Sequence, residues 1–256
     1  MILNDIYISY QQVNDTILKE AMIHCYNNIC FSTFPYIDYN TPLSKDTITK
    51  YNSGNCIAMS YFVKCYLKNN YNIDSQQIVA SVPEHFRIKG QDELCHVALF
   101  ICKSNKEFYI VDPAFYFLEP IHIKDDKEHS IDTYNIHKDK VSVLYYTLNK
   151  CTNKNILPNS FSCKCYFSDY PNHKYEYIFN EIMNPDDTIG KSYHSIKKEP
   201  CLLQTKYENN IIKKIYHLKK ENDQIIIIHN YKVIPYNYKK LYKDLYKYLD
   251  PNIRLH

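Results

Sequence analysis

Among the nucleophilic and titratable side chains of this chain, Cys56, His96 and Asp112 fall into an order that can do chemistry. A thiol attacks as its thiolate, and helix N-termini make thiols more acidic because unpaired backbone N–H groups point at the side chain. Cys56 opens an apolar run, residues 57–67, that reads as a helix, and Gly54 stands two residues ahead of it. A tight turn into a helix often needs a residue without Cβ at such a place. The same N–H groups suit the oxyanion of a tetrahedral intermediate. His96 lies eight residues before Ser104 and Asp112 eight residues after it. A turn centred there sets the two opposite each other on neighbouring antiparallel strands, with Cβ atoms about 4.5–5.5 Å apart. A carboxylate so placed orients an imidazole and fixes its tautomer. Nucleophile, base and orienter thus follow in chain order, the arrangement of covalent acyl transfer.

A lone Cys on a helix or a lone His on a strand is usually just packed, and the chain has 10 Cys and 11 His from which chance pairs arise. What singles out this set is the conjunction of Gly-x-Cys at a helix start, a strand His, and a strand that ends in Val111-Asp112-Pro113. His85 and Asp92 compete for the base and orienter roles but fall in a polar loop, residues 83–93. Cys151, Cys163, Cys165 and His173 carry zinc-ligand chemistry but lack a paired Cys-x-x-Cys, so no metal is expected.

The elements that must position these groups can be read from periodicity and caps. Residues 14–27 form a helix with Asn14 or Asp15 as N-cap, a short helix follows near 44–50, and 56–68 is a largely buried helix. Strands are expected at 78–82, 95–102, 108–111, 141–147, 162–167 and 175–179, and a hairpin pairs 211–218 with 224–229. A last helix carries Leu241, Leu245 and Leu249 and stops at Pro251. Helices first, then strands, then strands and a helix make an α+β chain.

Composition narrows the function classes. The 31 basic and 28 acidic residues leave a net charge of +3, so no global field calls for nucleic acid. Only Gly54, Gly90 and Gly190 are glycines, which excludes the glycine-rich dinucleotide and phosphate-cradling loops. No run of about 18 apolar residues predicts a membrane span, and residues 1–10, with Asn4 and Asp5, lack the pattern of a signal peptide. Cysteines in such a chain read as reduced thiols of a cytoplasmic protein. The 27 Tyr, with abundant Asn, Lys and Ile and no Trp, suggest A/T-rich codons, and for a viral chain the compartment would be the host cytoplasm.

Ser53-Gly54-Asn55-Cys56, Cys95-His96-Val97-Ala98-Leu99 and Tyr109-Ile110-Val111-Asp112-Pro113 resemble the three motifs of the transglutaminase-like thiol enzymes. Within that papain-like superfamily the arylamine N-acetyltransferases fit more of the chain, because residues 24–38, with Ile29-Cys30-Phe31 at the turn, resemble the end of their helical region. Where that family has Arg-Gly-Gly-x-Cys-Phe-Glu, this chain has Asn52-Ser53-Gly54-Asn55-Cys56-Ile57-Ala58. The resemblance implies a helical region (1–75) carrying the nucleophile, an antiparallel β-barrel (76–180) carrying His and Asp, and a C-terminal α/β lid (181–256). It further implies Cys56, His96 and Asp112 as the catalytic residues, substrate contacts at Phe31, Asn55 and Phe115, and acetyl-CoA or another acyl-CoA as cosubstrate with a small-molecule amine as acceptor. A transglutaminase-like or protease-like enzyme acting on peptide amides, and a catalytically silent binding module of the same fold, are the alternatives.

Overall fold

Helix α1 (Asp15–Asn28) begins where Asn14, in extended conformation, turns its Oδ1 onto the N–H of Ile17 at 3.0 Å. A cap of this kind is worth about 1 kcal/mol. Leu18, Ala21, Met22 and Cys25 recur at helical spacing and carry no exposed surface. They face helix α4 (Cys56–Tyr71), whose Met59, Val63 and Leu67 are equally buried in the same core. Each such side chain contributes about 1.5–3 kcal/mol by leaving water. Between the two lie short α2 (Phe34–Ile37) and α3 (Ser44–Tyr51). In this glycine-poor chain asparagine ends both helices in the left-handed conformation: α3 on Asn52 (φ 46°) and α4 on Asn72 (φ 53°). This computed structural model describes residues 13–37, 43–81, 94–104, 107–124, 129–131, 140–146, 160–166, 174–182, 201–221, 224–229 and 232–236.

The first sheet is antiparallel and has eight strands: β3 (Gln76–Ser81), β4 (Leu94–Ser104), β5 (Glu107–Val111), β6 (Ile121–Ile123), β7 (His129–Ile131), β8 (Lys140–Tyr146), β9 (Ser160–Tyr166) and β10 (Lys174–Ile182). Their spatial order is β6-β5-β4-β3-β10-β9-β8-β7. Among the described residues β6 and β7 are its two outer strands, and the sheet curls as a half-barrel. Ala98, Leu99, Ile110 and Val111, at the centre of β4 and β5, are at most 1 % exposed.

The second sheet has six strands in the order β14-β13-β12-β11-β1-β2. It contains β11 (Leu202–Glu208), β12 (Ile211–Glu221), β13 (Gln224–His229) and β14 (Lys232–Tyr236), and it recruits β1 (Cys30–Ser32) and β2 (Ser53–Gly54) from the helical region. The expected hairpin of 211–218 with 224–229 is present as β12 and β13. A second hairpin precedes it: Asn209 (φ 53°) and Asn210 (φ 62°) join β11 to β12 in the doubly left-handed turn that suits twisted strands. Phe31 pairs with Leu203 on one side and runs parallel to Gly54 on the other, so the segment just ahead of Cys56 is stitched to the C-terminal strands.

The expected helix around Leu241 and the loop with His85 and Asp92 lie outside the described residues, as do Cys151, His173 and the side chains of Cys163 and Cys165. Among the described residues no group of three or more Cys, His, Asp or Glu side chains converges as metal ligands would, and no helix is long and apolar enough to cross a membrane.

Candidate active site

The loop into α4 is built on close approach. A Cβ on Gly54 would sit 2.3 Å from Ala58 Cβ, 2.5 Å from Thr47 Oγ1 and 3.0 Å from the Tyr36 hydroxyl. The requirement for glycine is therefore space beneath the loop, and not the backbone turn that the sequence suggested. Next to it, Asn55 is the N-cap of α4 and is fully buried. Its Oδ1 accepts from the N–H groups of Ile57 (3.1 Å) and Ala58 (3.2 Å) and from the hydroxyls of Tyr36 (2.9 Å) and Ser44 (3.0 Å). Four donors on one oxygen fix the amide's orientation. Asn55 Nδ2 is left buried without a hydrogen-bond partner. Burial pushes the Tyr36 phenol up to about 12, so it stays a neutral donor.

Cys56 is thereby the first residue of α4, 5 % exposed, packed among Ile57, Val97, Val79 and Ala114. The first turn is tied to the sheet from behind. Ser60 Oγ donates to the Cys56 carbonyl at 2.7 Å, and Gln77 Nε2 on β3 donates to the Ile57 carbonyl (3.0 Å) and to Ser60 Oγ (2.9 Å).

His96 and Asp112 come from β4 and from the residue just past β5. Their register differs from the symmetric one expected: Leu99 pairs with Val111 and Phe100 with Ile110, and an irregularity between Cys102 and Ser104 absorbs Lys103. Continued by one step, this register sets Asp112 opposite Ala98, so His96 lies diagonally, two residues along the same face. Side-chain reach closes the gap. His96 Nε2 lies 2.5 Å from Asp112 Oδ2, while Asp112 Oδ1 accepts from the Phe115 N–H at 3.3 Å and caps the short 3-10 turn Pro113–Phe115. Both residues are buried, at 7 % and 2 % exposure.

The Cys56 sulfur bears on the same ring: together with Asp112 it favours the charged imidazole. Burial disfavours the charged ring, but the Asp112 carboxylate, its hydrogen bond and the Cys56 sulfur outweigh that and raise His96 to about 10. Aromatic rings set the imidazole plane: Phe115 at 4.5 Å, Tyr177 at 5.1 Å and Phe179 edge-on at 6.1 Å between centroids.

His96 and Asp112 are therefore in contact, and Cys56 is near enough to act on the His96 ring. Of the expected substrate contacts, Asn55 adjoins the thiol in sequence and Phe115 lies tilted against the imidazole. Phe31 is one strand away, in register with Gly54 and packed on the helical core. Tyr36, Ser44, Thr47 and Gln77 were not foreseen. Only the Ser-x-x-Thr spacing on a short helix ahead of the glycine hinted at the first group.

No protein-family sequence model matches the chain, and no curated protein matches it in sequence. Solved structures do. A Mycobacterium smegmatis arylamine N-acetyltransferase superposes with a TM-score of 0.59 at 11% identity, covering 95% of this chain and 88% of its own. Arylamine N-acetyltransferase C of Bacillus anthracis gives 0.58 at 12%, covering 94% and 92%. An arylamine N-acetyltransferase of Bacillus cereus, described as having a Cys-His-Glu triad, gives 0.57 at 13%, covering 91% and 90%. At these identities the likeness is one of architecture, and it runs over nearly the whole chain: this protein has the arylamine N-acetyltransferase fold.

Proposed function

We propose that this chain is a thiol acyltransferase that moves an acetyl or other acyl group from acyl-CoA to a small-molecule amine through a thioester on Cys56. The observation that supports the reading is the His96 ring bonded to the Asp112 carboxylate, with the Cys56 sulfur acting on the same ring. In this reading the thiol proton already rests on His96, in line with its raised pKa, and the Cys56 thiolate adds to the thioester carbonyl. The oxyanion is held by the Cys56 N–H, which stands in the first turn of α4 where backbone donors lack intrahelical acceptors. Collapse expels the CoA thiol, which leaves with the proton from His96. An amine then adds to the acyl-Cys56, His96 removes its proton, and the amide departs as the thiol reforms. Asp112 stabilises the imidazolium at both stages. Phe115 and Phe31 would supply apolar walls for acyl donor and acceptor. The free thiols at Cys25, Cys30, Cys56, Cys65, Cys102 and Cys201 fit a reducing, cytoplasmic setting.

The test is intact-mass spectrometry after brief incubation with acetyl-CoA. One acetyl adduct on wild type and none on Cys56→Ala supports the reading. No adduct while Cys56 still alkylates fast removes CoA and turns attention to peptide amides. No adduct with an inert Cys56 leaves a binding module.

A further inference from the structure

Gln77 is a polar residue on a face of β3 that otherwise packs apolar side chains. It is 8 % exposed and pairs with Leu99 of β4, and three residues further on Ala80 pairs with His96. Val79, two residues on and so on the same face, packs against the cluster of Cys56, Ile57 and Val97. A carboxamide buried in such a place costs free energy unless it is hydrogen-bonded. Gln77 directs its donor nitrogen at the first turn of α4: Nε2 lies 3.0 Å from the Ile57 carbonyl and 2.9 Å from Ser60 Oγ.

Ser60 carries the link on to the nucleophile. Its buried hydroxyl accepts from Gln77 and donates to the Cys56 carbonyl at 2.7 Å, with the Ile57 carbonyl at 3.1 Å as a second acceptor. The two peptide units gripped in this way are the ones whose N–H groups, on Ile57 and Ala58, donate to Asn55 Oδ1. Each unit is therefore held at both ends, by Asn55 at its N–H and by Ser60 or Gln77 at its C=O. Hydrogen bonds in series through one peptide strengthen one another. The result is a first turn fixed in rotation about the α4 axis relative to β3, and so relative to the neighbouring strand that bears His96.

We infer that Gln77, acting through Ser60, is a positioning residue that locks the first turn of α4 to β3 and so keeps the Cys56 sulfur within reach of the His96 ring. The inference rests on the reading of Cys56 as nucleophile and His96 as its base. Neither Gln77 nor Ser60 is a catalytic group, since both act through the backbone of Cys56 and Ile57. Gln77→Met keeps the length and bulk of the side chain and removes both donors. The Ile57 and Cys56 carbonyls keep Ser60 as a partner, so the fold should survive the change. Ser60→Ala cuts the same line at its second link and serves should the first variant not fold.

Two readouts on the full chain test this: iodoacetamide alkylation rates resolved by peptide mass spectrometry, and the pH titration of the ¹³C-labelled His96 ring followed by NMR. In each variant the Cys56 rate should fall by about tenfold or more, since a misplacement of about 1 Å can cost roughly 10²-fold. Cys65, partly exposed on the same helix, should keep its rate. The His96 titration should move down from about 10, because the Cys56 sulfur helps to raise it and would stand further off, while Asp112 stays bonded to the ring. A tie that merely packed the helix would leave that titration in place, and cutting it would loosen the turn and speed Cys56. Unchanged or faster Cys56 alkylation in a folded variant, against a fast wild type, overturns the inference and leaves the acyltransferase reading standing. So does a His96 titration that does not move. A wild-type Cys56 no faster than Cys65 overturns that reading, and this inference with it.

Discussion

Around Cys56 hydrogen bonds do the positioning, whereas around His96 it falls to strand register and ring packing. The nucleophile arm is local: Tyr36, Ser44 and Asn55 form one buried polar network beneath the loop, with Thr47 against Gly54. The base arm is long-range. His96 and Asp112 arrive from two strands, and Phe115, Tyr177 and Phe179 surround the imidazole. A buried polar network loses most when one member goes, because the others are left unpaired. A ring cage loses contact area in small steps. The two arms should therefore fail differently.

The largest effect tests the base arm at its chemical centre. His96→Gln keeps a donor for Asp112 but removes the base, so acyl transfer to Cys56 should slow by about 10²–10⁴-fold with little loss of fold. Rapid-quench mass spectrometry reads the first effect and a thermal melt the second. Gly54→Ala strikes the nucleophile arm through space alone. A Cβ 2.3 Å from Ala58 Cβ has no room, and overpacking of about 3 kcal/mol should lower Tm by roughly 6–12 °C.

Asn55→Ala removes a helix cap and strands two hydroxyls, an expected loss of about 2 kcal/mol by denaturant melts, whereas Asn55→Asp keeps the accepting oxygen and should lose less than half as much. Equal losses in the two variants would mean that the network is not what holds the loop. The base arm also has a pH signature. His96 is raised from 6.5 to about 10, so its contribution to stability is fully present below about pH 6.5 and is lost as pH rises through 10. Wild-type Tm should fall across that window by more than the Tm of His96→Gln. Smallest is Phe115→Leu, which trims one ring of the cage and should destabilise by about 1 kcal/mol or less while leaving Cys56 acylation within a few-fold of wild type.

What was legible in the sequence follows the same division. The Asn14 cap and the buried run of α4 are local, and α1 and α4 lie within three residues of where periodicity set them, while the Cys–His–Asp order was carried by spacing. The β4–β5 register lies two residues from the expected one because Ser104 pairs with Glu107, so the turn falls beyond Ser104 and not on it, and the irregularity at Lys103 takes back only one residue. β11 was missed because Leu202, Leu203, Gln204 and Thr205 are all buried, which erases the alternation that marks a strand. Its Asn209-Asn210 turn was the readable signal. The network under Gly54 joins residues from three short segments, and only tertiary structure brings Tyr36 to Asn55.

The central claim is that His96 activates a Cys56 thiol that is itself almost buried. The direct measurement is the alkylation rate of each cysteine by iodoacetamide, resolved by peptide mass spectrometry in wild type and His96→Gln. Exposure alone would have Cys65 and Cys201, which are partly exposed, react ahead of Cys56 at 5 %. The account predicts that Cys56 reacts first, and that His96→Gln slows it by at least about 10²-fold while the other two are unchanged. A Cys56 that trails both, at a rate His96→Gln does not alter, would contradict it.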